Sequence, residues 1–114
     1  MKKNYDFEPK AVETIISTGM MTTVFRLDIT KKEDGTYECE EVEYNHKEPI
    51  TEEKDYGPMV STLIRAHYSQ DQVEAITQNY LADPERYKDD FEALQAWRAE
   101  AKKIAKDCCP DAKA

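Results

Sequence analysis

A chain of 114 residues with 39% apolar and 35% charged side chains, 3 glycines and 5 prolines has the make-up of a single globular domain, neither disordered nor fibrous. Its net charge of -8 argues against the DNA or RNA backbone as a partner, because phosphate binding draws its free energy from clustered Lys and Arg, and it favours basic protein surfaces instead. No apolar run approaches the roughly 18 residues of a membrane span, and Lys2-Lys3 leads into Asn4-Tyr5-Asp6-Phe7-Glu8-Pro9 where a signal peptide needs an apolar stretch, so no membrane contact and a cytoplasmic location are expected.

Residues 11–17 read Ala-Val-Glu-Thr-Ile-Ile-Ser, and their β-branched alternation through Val12, Thr14 and Ile16 favours a strand, with a short helix after Pro9 as the alternative. Thr18-Gly19 offers a turn. In 22–30, Thr23, Phe25, Leu27 and Ile29 share one face while Thr22, Val24, Arg26 and Asp28 share the other, the clearest strand pattern in the chain. Asp34-Gly35 between two alternating runs then signals a hairpin, since glycine accepts the positive φ of the turn. The return strand, 36–44, loses its phase: Tyr37 and Cys39 are odd, Val42 and Tyr44 even. One extra residue near Glu40 and Glu41, a β-bulge, would bring all four to the core face, and the glutamate content suits an edge strand protected against aggregation.

Seven glutamates lie between Glu38 and Glu53 against the single Lys47. Their first reading is a solvated sheet face and loop. From Tyr56 the apolar period becomes helical. Pro58 near a first helical position opens a helix 58–67 with the stripe Met59, Val60, Leu63, Ile64 and His67. Ser69 and Gln72 form a capping box that starts a second helix, 70–82, with Val73, Ile76, Tyr80 and Leu81 on its apolar face. Asp83 as N-cap and Pro84 as first residue start a third, 84–107, whose stripe runs Tyr87, Phe91, Leu94, Trp97, Ala101, Ile104 and Cys108. Acids precede lysines along it, as the helix dipole prefers. The whole is α+β: a three-stranded antiparallel meander (11–17, 22–30, 36–44) followed by three helices. The last residues, to Ala114, are read as a frayed tail.

Three cysteines without a secretion signal imply reduced thiols. With His46 and His67 they lack the paired spacings that present two ligands to one ion, so neither metal nor other cofactor is expected. No nucleophile elbow, phosphate loop or calcium loop occurs, and the chain reads as a non-enzyme with no catalytic residues. What remains is shape and charge. A third helix of about 23 residues spans roughly 35 Å, more than a compact domain of this size, and its small residues Ala93, Ala96, Ala99, Ala101 and Ala105 permit close approach of another helix. Two candidate partner surfaces follow: the acidic strand with Glu38, Glu40, Glu41 and Glu43, and the helix face with Trp97, Ala101 and Ile104.

The segments Met21-Thr22-Thr23-Val24-Phe25-Arg26-Leu27, Asp34-Gly35-Thr36 and Phe91-Glu92-Ala93-Leu94-Gln95-Ala96-Trp97-Arg98 resemble small uncharacterised proteins encoded in bacteriophages and prophages of gut bacteria, commonly near tail genes. The stretch from Leu94 to Trp97 is also similar to helical ends of tail-fibre assembly proteins. The resemblance implies a virion component or assembly factor that acts by binding a protein, either another phage protein or its own copies as an oligomer. It carries no catalytic residues over. The other expectation, from charge, is an acidic inhibitor or nucleic-acid mimic that occupies a basic site on a host protein.

Overall fold

The computed structural model describes residues 2–109, and the chain divides into two compact units, Met1–Ile50 and Thr51–Ala114. The expected frayed tail falls on 110–114, outside the described residues. The fold is α+β: a four-stranded antiparallel sheet comes first and three helices follow.

In the first unit the strands are β1 (Lys2–Tyr5), β2 (Val12–Ser17), β3 (Met20–Lys31) and β4 (Tyr37–His46), in the order β1-β4-β3-β2. Segment 11–17 is therefore a strand, not a helix. The three expected strands form the meander, and the sequence reading missed a fourth. β1 has no apolar alternation to announce it; it is held by its ladder to β4, in which Lys2 stands opposite Glu40 and Tyr5 opposite Tyr37. This addition changes the place of the acidic strand. β4 lies inside the sheet rather than at its edge, and the edges are β1 and β2.

The register also relocates the bulge. Leu27 pairs with Glu40 and Thr30 with Glu38, so Asp28 and Ile29 of β3 face the one residue Cys39, while β4 runs regularly through Glu40 and Glu41. The extra residue is in the partner strand, where Asp28 takes φ 54°, a left-handed conformation that a short polar side chain tolerates. Ile29 consequently leaves the face of Phe25 and Leu27. The odd and even apolar residues of β4 have a different origin: Cys39 on one face and Val42 on the other are both buried. β3 shows the same two-sided burial, with Thr23, Val24, Phe25, Arg26 and Leu27 buried in succession. Its hairpin to β4 turns at Asp34-Gly35 as expected, with Gly35 at φ 88° and the Asp34 carboxylate accepting from the Thr36 amide at 2.9 Å.

In the second unit, α1 (Glu52–His67), α2 (Gln70–Ala82) and α3 (Lys88–Cys108) follow. α1 begins six residues before its expected start, because Thr51 caps it by accepting from the Lys54 amide at 3.2 Å while the buried Asp55 carboxylate accepts from the Thr51 amide at 2.9 Å. That cap, with Glu52, Glu53 and Asp55 in the first turn, outweighs Pro58 inside the helix. α2 spans its expected bounds with the capping box formed. It buries none of its residues, and Leu81, expected on its apolar face, is 68% exposed. Its inward side is Val73, Ile76, Thr77 and Tyr80, each half-buried.

α3 starts four residues later than expected. Asp83 does cap, accepting from the Arg86 amide at 3.3 Å, but it caps a separate turn, 84–87, before the helix proper. The expected stripe is the inward face: Leu94 and Ala101 are fully buried, and Tyr87, Phe91, Trp97, Ile104 and Cys108 are half-buried. α3 runs antiparallel to α1, since Trp97 meets Leu63 and His67 near one end while Lys106 pairs with Glu52 at the other. Tyr80 of α2 stacks on Phe91 at 3.9 Å between ring centres. A Leu94→Ala variant is expected to lose about 3 kcal/mol through the cavity it leaves, whereas Leu81→Ala should stay within about 0.5 kcal/mol of wild type; urea unfolding measures both.

Candidate functional site

The sheet is organised around a charge. Arg26, in the middle of β3 and only 9% exposed, donates from Nε to Glu41 of β4 at 2.8 Å and from Nη1 to Glu13 of β2 at 2.9 Å. Nη1 also reaches the Lys10 carbonyl at 3.0 Å, and the guanidinium lies 5.1 Å from the ring centre of Tyr5 in β1. The Tyr5 hydroxyl donates to Glu41 and itself receives Arg26 Nε at 3.3 Å. All four strands thus share one buried cation. Burial alone would lower the pKa of Arg26 and raise that of Glu41, yet the bonds from Tyr5 and Arg26 hold Glu41 below its ordinary value and those of Glu41, Tyr5 and Glu13 raise Arg26. A cavity of about 290 Å³ opens beside this cluster, with Phe7 and Lys10 among its walls. Its one buried cation is already matched by two carboxylates.

Beyond Glu13 the sheet ends in β2, and this edge is apolar. Ile16 is 74% exposed, Ile15 48% and Val12 38%, with Met20 beside them after the turn. The hydrogen bond from the Arg26 amide to the Ala11 carbonyl, 2.8 Å, fixes the phase of the strand. Odd residues of β2 turn their backbone groups toward β3, so Val12, Thr14 and Ile16 turn theirs outward. The strand carries one charge, Glu13, whose half-exposed carboxylate pairs with Arg26 at 2.9 Å. Thr14 is also held from behind: its hydroxyl lies 3.0 Å from that of Thr23, which lies 2.8 Å from His46 Nε2, and His46 Nδ1 is 2.7 Å from the Glu48 carbonyl. A carbonyl only accepts, so Nδ1 carries the hydrogen and Nε2 accepts from Thr23. The edge presents outward N–H and C=O groups flanked by exposed isoleucines.

The expected acidic surface is divided. Glu41 is committed to Arg26; Glu38 pairs with Lys2 at 3.2 Å and Lys32 at 3.5 Å, and those bonds lower its pKa. Glu40 stands opposite Lys2 and Leu27, and Glu43, opposite Val24, is exposed. The helix candidates are taken up inside the second unit. The Trp97 indole donates to the Leu63 carbonyl at 3.0 Å and stacks on His67, Ala101 is fully buried and Ile104 half-buried. Neither set forms one open patch. Sequence reasoning passed over Val12, Ile15 and Ile16, although the adjacent pair Ile15-Ile16 carries a signal: consecutive strand residues point to opposite faces, so an apolar side chain stands on each.

The thiols of Cys39, Cys108 and Cys109 are free, and burial pushes all three above their ordinary value. Among the described residues no three His, Cys, Asp or Glu side chains are grouped to hold a metal ion, and no helix is long and apolar enough to cross a membrane. Comparison with models of known families, with curated proteins and with solved structures gives no match.

Glu41, with a depressed folded-state pKa, contributes stability that is complete above its ordinary value of 4.5 and is lost as pH falls through the folded value. Urea unfolding should accordingly show stability declining below that pH. Glu41→Gln should lower stability by about 2 kcal/mol at neutral pH and flatten this acid limb, leaving the slope that Asp34 and Glu38 supply through their own lowered values.

Proposed function

We propose that the protein is a non-enzymatic protein–protein interaction module, a structural or assembly component of a phage, and that it engages its partner by adding a strand to the β2 edge. The observation that carries this reading is the combination on β2 of outward backbone groups, exposed Ile15 and Ile16, and a single charge, Glu13, that is held by Arg26. Natural sheets blunt such edges with charges, prolines or cover; an uncovered one is suited to pairing with another chain. The phage assignment rests on the sequence resemblance, which spans both β3 and α3. On this reading the protein works in the cytoplasm of the producing cell as an assembly factor, or in the virion as a structural component.

The reading as an acidic inhibitor of a basic host protein has less support. Glu38 and Glu41 spend their charge on Lys2, Lys32 and Arg26 within the sheet. Partner capture tests the choice. Immobilised protein is exposed to lysate of phage-infected cells beside Ile16→Lys, a change at a 74% exposed side chain that leaves the fold intact, and retained proteins are identified by mass spectrometry. Virion proteins or copies of this chain retained by wild type and lost from the variant are expected. Equal retention on both would remove the edge from the mechanism.

A further inference from the structure

Resting on that reading, we infer that the partner of the β2 edge is a second copy of this chain, its β2 antiparallel to the first about a two-fold axis at Thr14. The inference comes from the phase of the edge. An antiparallel pair about a two-fold axis normal to the sheet keeps each residue on its own face, so a residue meets one of the same parity in the other copy. The outward backbone groups are those of Val12, Thr14 and Ile16, as the Arg26 to Ala11 bond dictates. Centring on Thr14 pairs Thr14 with Thr14, Val12 with Ile16 and Ile16 with Val12, and makes use of every outward group in a ladder of about six hydrogen bonds.

The neighbouring registers are poorer. Centring on Glu13 sets two carboxylates face to face, a destabilising arrangement. Centring on Ile15 moves Val12 opposite Thr18, which lies in the turn, and loses part of the ladder. Centring on Thr14 instead covers the apolar residues: Ile16, the most exposed of them, packs on Val12 of the other copy, and Ile15 stands opposite Glu13, whose carboxylate is tied to Arg26. Charge also decides between the two edges of the sheet. β1 carries Lys3 and Lys2, the latter paired with Glu38 but 77% exposed, which guard it against self-pairing, whereas the one charge of β2, Glu13, is less exposed and held by Arg26. A symmetric β2 contact closes after two copies, with the guarded β1 edges left outermost.

The contact is smaller than a standard interface of about 800 Å² per partner, so dissociation in the range of about 10 µM is expected. Analytical ultracentrifugation of the whole chain at about 100 µM should give a dimer for wild type and a monomer for Ile16→Lys. Register is read separately, with nitroxide labels at Ala11→Cys or Ser17→Cys in a Cys108→Ser, Cys109→Ser background. The two positions are equidistant from Thr14, so each should report the same separation, about 20 Å at 3.4 Å per residue. Unequal separations, or a dimer that Ile16→Lys does not dissolve, would overturn the inference. A wild-type monomer that still retains another protein through Ile16 overturns self-pairing and leaves the interaction reading standing; a monomer that retains nothing overturns both.

Discussion

The sheet unit depends on the enclosure of one guanidinium. Arg26 occupies the middle of the most buried strand, a position where an unpaired cation would cost several kcal/mol, and it is tolerated because each neighbouring strand sends it a partner. Tyr5, Glu13 and Glu41 come from β1, β2 and β4 and converge on a single side chain. The cluster therefore specifies the order of the strands as well as stabilising them: a different arrangement would strand the charge. It also accounts for β1. Four residues with two lysines have little apolar surface to contribute, and to the backbone ladder with β4 they add the Lys2–Glu38 pair and the Tyr5 bond to Glu41.

The same enclosure sets the character of the two edges. Glu13, the only charge on β2, is engaged by Arg26. β1 keeps both lysines. Behind β2, the Thr14–Thr23–His46 chain of hydrogen bonds spans three strands and ties the edge to the interior of the sheet. Anchorage behind the strand and apolar exposure in front of it are complementary properties of one element.

Where local pattern and tertiary context agreed, the fold was legible from residues alone. The alternation of Val24 to Leu27, the Asp34-Gly35 turn, the Ser69–Gln72 capping box and the inward stripe of α3 all appear in the structure as their spacing implied. The misreadings of the sheet share a cause: each depends on a partner remote in sequence. β1 is defined by β4 rather than by its own composition; the bulge belongs to whichever strand holds the surplus residue, which Tyr37, Cys39, Val42 and Tyr44 cannot reveal by themselves. Pro58 gave a start signal that Thr51 and Asp55, seven and three residues upstream, overrode. The site was less legible than the fold. Charge drew attention to Glu38 and Glu41, whose neutralisation is visible only with Lys2, Lys32 and Arg26 in place, and away from an edge whose distinction is lack of charge.

The chain has 1 tryptophan, and the structure gives it a defined post. Trp97 is hydrogen-bonded to the Leu63 carbonyl and stacked on His67 at 4.0 Å, so it reports on the α1–α3 contact. An imidazole against an indole is an effective quencher, and release of that stack brightens the emission as the helices part. The protein thus contains an optical gauge confined to its helical half. Read beside far-ultraviolet dichroism, which also senses the sheet, the gauge tells whether the two units melt in one cooperative step or in succession.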